Sequence, residues 1–210
     1  MAKKSFAKNC LTITIVCLTT LYCQAQQHFS CHHLKRADLL FHITFSANPI
    51  TEVTSGNIDH VAIYLGGDSL IEAVERGVVI TRLDSLRQRE GQWLVGRVKK
   101  VSIEHSIDNA LHYVGRPYDS FYLANNDAIY CSELVQLSFV NRKGHRLFTP
   151  IPMSFHDGDG RITPYWQDFY ARHHMQVPEG QPGTNPSELS QRSNIRILGI
   201  LTYETKTKTQ

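Results

Sequence analysis

Much about this chain follows from what it lacks. It has no charge surplus beyond its first ten residues: of 22 Lys and Arg against 19 Asp and Glu, the excess is Lys3, Lys4 and Lys8. Proteins that grip phosphates through several cations show a basic surplus or stripe, so no nucleic-acid partner is expected. Apolar runs are short as well, and the stretch from Cys10 to Cys23 falls below the roughly 20 residues that a transmembrane helix needs. No internal repeat is present and no low-complexity segment interrupts Ala37 to Tyr170, which leaves no linker. Metal-ligand spacing is missing too. The pairs His32-His33 and His173-His174 project divergent side chains, and Asp157-Gly-Asp-Gly160 lacks the glutamate and remaining ligands of a calcium loop. No metal and no cofactor are expected.

Cysteine is scarce once the leader is set aside. Residues 1–25 read as a secretory signal, with a lysine n-region, an apolar core and the small-residue exit Cys23-Gln24-Ala25, so cleavage is expected after Ala25. Tyr22 before Cys23 and Val16 before Cys17 are too large for a lipoprotein site. Processing removes Cys10, Cys17 and Cys23 and leaves Cys31 and Cys131 in an exported, periplasmic or extracellular domain over residues 26–210, with no stable membrane anchor. The sequence sets no oligomeric state.

A composition of 41% hydrophobic and 20% charged residues suits a globular core rather than disorder. Strands are predicted over Leu39–Phe45, His60–Leu65, Leu70–Val74, Gly77–Ile80 and Trp93–Val98, with a turn at Gly66-Gly67-Asp68-Ser69. Ile107, Ala110, Leu111 and Val114 keep helical spacing behind Ser106 as N-cap, with Gly115 at the stop. A second helix begins near Cys131, and a third at Thr163-Pro164 buries Trp166, Phe169 and Tyr170. Pro178 to Ser193 reads as a wrap, and Ile195 to Tyr203 as an edge strand. The fold class is α+β, an antiparallel sheet packed against helices.

Three residues together suggest nucleophilic chemistry: Cys131 at a helix head, His60 opening a strand and Glu72 on the next strand. A thiol attacks as thiolate, which a helix N-terminus and a neighbouring imidazolium stabilise. His60 then shuttles the proton, and a third group must orient its ring. Two cysteines in an exported chain pair by default. The context of Cys131 argues instead for a free thiol, with Cys31 as the spare. Strand parity selects between Glu72 and Glu75. An odd turn or a compensating bulge places Glu72 beside His60, whereas an even turn alone favours Glu75.

The segments Asp38-Leu-Leu-Phe41, Asp59-His-Val-Ala-Ile-Tyr-Leu65, Ile71-Glu-Ala73, Gly115-Arg-Pro-Tyr-Asp119 and Tyr130-Cys-Ser-Glu-Leu-Val135 occur in that order. Together they resemble the YiiX/YebB-like family, circularly permuted papain-like hydrolases of the NlpC/P60 superfamily. Pro178 to Pro186 is similar to the tail of secreted members. The resemblance implies Cys131 as nucleophile, His60 as base and Glu72 as third member. Asp38, Tyr118 and Tyr130 are candidates for the pocket wall because they lie inside matched segments. Ala37 departs from the glycine usual at its position. The expected activity is cleavage of an amide in a peptide or cell-wall fragment through a Cys131 thioester. The alternatives are a lipid-like acyl ester or acyl transfer with the same residues, or a silent ligand-binding module.

Overall fold

The computed structural model describes residues 27–124 and 126–203, so the expected leader lies outside the described residues. In chain order the elements are β1 (His28–Ser30), β2 (Asp38–Ile43), α1 (Pro49–Val53), β3 (Ile58–Gly66), β4 (Ser69–Val74), β5 (Gly77–Arg82) and a 3-10 segment (Leu83–Gln88). There follow β6 (Gln92–Val98), α2 (Ile103–His112), α3 (Cys131–Ser138), β7 (Ile151–Pro152), α4 (Pro164–Arg172), β8 (Pro182–Gly183), α5 (Pro186–Ser190) and β9 (Ile195–Thr202). Seven strands form one sheet in the order β1-β9-β6-β2-β3-β4-β5, antiparallel throughout except for β1 on β9.

The β3–β4 hairpin settles the parity question. Gly66 pairs with Ser69 across the two-residue turn Gly67-Asp68. Both turn residues adopt positive φ, 57° and 61°, as a tight hairpin requires. Such an even turn alone would put Glu75 beside His60. A bulge between Tyr64 and Gly66 adds one residue and restores the other parity, with Ile63 opposite Ile71. Glu72 therefore shares a face with Ala62, Tyr64 and Leu70.

Alternation along these strands splits the core in two. Leu39, Phe41, Val61, Ile63, Ile71 and Ala73 pack with Ile107 and Ala110 of α2 and with Leu134 and Val135 of α3. On the other face Leu40, Ala62, Tyr64, Leu70, Trp93 and Val95 are closed off by Leu83 and Leu86 of the 3-10 segment. Because α3 lies across β3 and β4, its first residue, Cys131, is carried toward the strands that hold His60 and Glu72. A third cluster, Met153, Phe155, Trp166 and Tyr170, forms beside this helix start.

Two predicted elements need correction. α2 starts at Ile103, one turn before Ser106, with Ser102 in the N-cap position. Ser106 is wholly buried within the helix, where its Oγ accepts the Val140 N–H at 3.1 Å. The buried stripe is thus Ser106, Ile107 and Ala110, while Leu111 and Val114 are exposed. β9 is not an edge strand, since β1 covers it in parallel. Gly199 permits that cover: a Cβ there would lie 2.0 Å from the Gln27 carbonyl oxygen, and the residue holds φ at 133°. Ala37 is buried with φ at 66°, so the chain takes a glycine-type conformation there without glycine, at a strain of about 1 kcal/mol.

Candidate active site

Cys131 opens α3 behind Tyr130, whose extended backbone (φ −98°, ψ 169°) makes it the N-cap. Tyr130 supplies no capping side chain. Glu133 does the work from the third helical position, its carboxylate accepting the Tyr130 N–H in one half of a capping box. Burial, reinforced by the charge of Asp119, pushes the Glu133 carboxyl up to about 7 against the pull of that N–H.

His60 Nε2 lies 2.8 Å from Glu72 Oε2. This contact leaves Nδ1 as the ring nitrogen available to Cys131, the ring's other hydrogen-bond partner. Burial favours the neutral ring, but hydrogen bonding and Coulomb attraction to Cys131 and Glu72 outweigh it and raise the His60 pKa to about 9. The ring stands edge-on to Trp93, 6.2 Å between centroids.

Glu72 has no solvent exposure. Its carboxylate receives four donors: His60, Thr81 Oγ1 at 2.8 Å, and Arg89 through Nη1 at 2.8 Å and Nη2 at 2.6 Å. A carboxylate offers about four lone-pair sites, so none is left idle. Burial raises its pKa, yet His60 and Arg89 prevail and hold the group at about 2. Arg89 was not among the residues singled out from the sequence. A signal for it exists, since Leu83, Leu86 and Arg89 fall at the three-residue period of a 3-10 helix, and the two leucines are buried. Its guanidinium also lies over Trp93, 5.5 Å from the ring centroid.

Beside Cys131 is a cavity of about 50 Å³. Tyr118, Tyr122 and Tyr130 form one wall; Ile50, Val53, Met153, Phe155 and Trp166 form an apolar one; Ser132, Thr184 and Asn185 supply polar groups. Tyr118 and Tyr130, two of the pocket-wall candidates, both line this cavity. Asp38 does not line this cavity. Its carboxylate, 1% exposed, is engaged by Arg97 through two contacts of 2.7 Å and by the Lys35 N–H at 2.8 Å, a lock between β2 and β6.

Two further acids shape the site. Asp59 is the charged residue lining the cavity, held by His42 Nδ1 at 2.6 Å and Asn48 Nδ2 at 2.7 Å. Burial opposes its ionisation, but these contacts keep its pKa below the usual value. Asp119, buried, accepts from the Phe121 and Leu123 N–H groups at 2.9 and 2.7 Å and from Asn126 Nδ2 at 3.0 Å. It thereby fixes the loop that presents Tyr122, whose φ of 53° is unusual for an aromatic residue.

Cys31 and Cys131 are both free thiols, and Cys31 packs at the margin of the second core, away from the cavity. Among the described residues no group of three or more His, Cys, Asp or Glu could hold a metal ion. Asp157-Gly-Asp-Gly160 forms a turn closed on itself, with Asp157 Oδ1 accepting the Asp159 and Arg161 N–H groups.

The family described as permuted papain-like amidase enzymes, YaeF/YiiX, C92, matches residues 33–198. A crystal structure described as metalloprotein YiiX from Escherichia coli O157:H7 is similar in fold, with a TM-score of 0.64 at 21% identity over 78% of this chain and 95% of that one. Among curated proteins none matches the chain. The α+β, permuted papain-like arrangement expected from the sequence motifs is the fold found.

Proposed function

The chain belongs to the permuted papain-like amidase family and is, as a member, a papain-like cysteine hydrolase; from that premise we propose that Cys131, His60 and Glu72 are its catalytic triad. The substrate in this reading is an amide in a peptide or cell-wall fragment. One observation carries the assignment: a wholly buried, four-fold hydrogen-bonded Glu72 holds His60, and the free nitrogen of that ring meets a thiol at a helix start.

The reaction runs as acyl transfer. The Cys131 sulfur, as thiolate, forms a bond to the carbonyl carbon, and the carbonyl π pair moves onto oxygen. When that tetrahedral species collapses, the C–N bond breaks and the His60 imidazolium gives its Nδ1 proton to the departing amine. Neutral His60 then takes a proton from water, whose oxygen attacks the thioester. The acid leaves and the thiol is regenerated. Glu72 stays ionised throughout and keeps the imidazolium oriented and compensated.

A second reading, a lipid-like acyl ester handled by the same residues, is favoured by the apolar wall of Ile50, Val53, Met153, Phe155 and Trp166. The expected leader makes the enzyme an exported one, periplasmic or extracellular, in both readings. Iodoacetamide labelling of the mature protein across pH, with Cys31 and Cys131 mapped separately by peptide mass, tests the triad without a substrate. Fast alkylation of Cys131 well below pH 8, with the profile moved upward in His60→Ala, is the expected result. A Cys131 that reacts only after denaturation would sink the triad and bring the silent binding module forward. Release of amine or of fatty acid from matched substrates separates the two enzymatic readings.

A further inference from the structure

We propose that Asn185, with Thr184 beside it, is the second donor to the oxyanion formed when the Cys131 sulfur adds to the substrate carbonyl, the Cys131 backbone N–H being the first. The inference rests on the acyl-transfer reading above and assigns a role to the Thr184-Asn185-Pro186 segment, which the triad leaves unused.

The segment is tied to the residue before the nucleophile. Thr184 N–H donates to the Tyr130 hydroxyl oxygen at 3.0 Å. Gly183 allows that approach, since a Cβ there would come within 2.9 Å of the same oxygen and 2.3 Å of Met153 Sδ. Thr184 and Asn185 consequently line the same small cavity as Cys131.

Two side-chain observations aim at a ligand. Asn185 Oδ1 accepts the Glu188 N–H at 2.7 Å as the N-cap of α5. That bond fixes which way the amide faces: the oxygen is spent on the helix, and the Nδ2 hydrogens are turned away from it without a partner among the described residues. Thr184 is 4% exposed, and its Oγ1 is buried beside the Tyr130 hydroxyl. A threonine hydroxyl has one donor and two acceptor sites, so a contact with the Tyr130 hydroxyl leaves capacity for the polar atom that a substrate brings. An oxyanion held by preorganised N–H donors in a protein site gains more than it would in solution.

The chemistry assigns each electron pair. As the S–C bond forms, the π pair becomes a lone pair on oxygen, which accepts from Cys131 N–H and Asn185 Nδ2–H. As the C–N bond breaks, that pair returns to the carbonyl and the donors relax. Alkylation by iodoacetamide displaces iodide at a saturated carbon and generates no oxyanion, so it reads the thiolate alone.

The test compares both reactions on the full mature chain: single-turnover acylation of Cys131 by p-nitrophenyl acetate, and iodoacetamide alkylation on its pH plateau. Asn185→Ser and Asn185→Asp both keep a capping oxygen for the Glu188 N–H and lose the amide donor. Each is expected to slow acylation on the order of a hundredfold to a thousandfold, while alkylation stays within about threefold. Thr184→Val is expected to slow acylation roughly tenfold, with Thr184→Ser restoring it, as for one neutral hydrogen bond. Acylation within threefold of wild type in both Asn185 variants overturns the proposal. A parallel loss of alkylation also overturns it, because Asn185 then acts on the thiol rather than on the oxyanion. Wild-type protein whose Cys131 alkylates fast but never acylates would instead refute the acyl-transfer reading itself, and this inference with it.

Discussion

Replacing Arg89 by methionine keeps a flexible stem over Trp93 and removes one of the two cations on Glu72. The carboxylate is wholly buried, and its pKa of about 2 against an ordinary 4.5 corresponds to about 3 kcal/mol of preference for the ionised form in the folded protein. His60 and Arg89 supply that preference against the opposing effect of burial. Loss of Arg89 forfeits on the order of half of it and leaves two acceptor sites empty, so a destabilisation of about 2 kcal/mol is expected at pH 7. In a chain of this size that lowers Tm by roughly 4–8 °C. A carboxylate depressed in the folded state contributes stability that is complete above its unfolded value of 4.5 and fades as pH falls toward about 2. Thermal unfolding of wild type and Arg89→Met from pH 7 to pH 3 should therefore show a gap that is constant down to about pH 5 and narrows below it. A gap that stays the same at pH 3, or no gap at pH 7, would refute the assignment of Arg89 as the counter-ion of Glu72 and leave it a packing residue on Trp93.

The two glutamates near the hairpin should separate cleanly. Glu72→Gln is expected to lower turnover about a hundredfold or more, while exposed Glu75→Gln stays near wild type, as single-turnover acylation of each will show. His60, raised to about 9, binds its proton more tightly in the fold than outside it. The stabilisation that the protonated ring gains from its partners is thus fully present below the unfolded value of 6.5 and is lost as pH rises through about 9. The alkylation profile should carry a change near that pH, and His60→Ala should abolish it. Asp38→Asn should lower Tm by several degrees, because a buried partner of Arg97 loses its charge. The same variant should acylate at the wild-type rate, and a loss of acylation without a loss of stability would restore Asp38 to the pocket wall.

What the sequence showed and what it hid follow from the range of the interactions involved. The strands of the hairpin, the start of α3 at Cys131 and the Thr163-Pro164 entry to α4 are set by local alternation, caps and turn residues, and each was legible. α2 was misread by one turn because Ser106 has the composition of a cap but is buried against Val140, a partner 34 residues away. β9 looked like an edge because its cover, β1, comes from the opposite end of the described chain, and only Gly199 hinted that another backbone lies close. Glu72 is reachable by parity only through the bulge between Tyr64 and Gly66, which offsets the even Gly67-Asp68 turn.

Residues that touch the site from afar escaped for the same reason. Arg89 is separated from Glu72 by 17 positions, and Thr184 from Tyr130 by 54. Neither spacing has a period that a local pattern could register. Their roles come from closure: a buried carboxylate must find four donors, and a thiol at a helix start beside a cavity is roofed by other segments of the chain. A sequence can show that such a demand exists, because Glu72 on an apolar strand violates burial preference. The fold decides which distant side chains meet it. The Asn185 amide hydrogens, beside Cys131 on the cavity and without a partner among the described residues, are then the place where the protein is built for something other than itself.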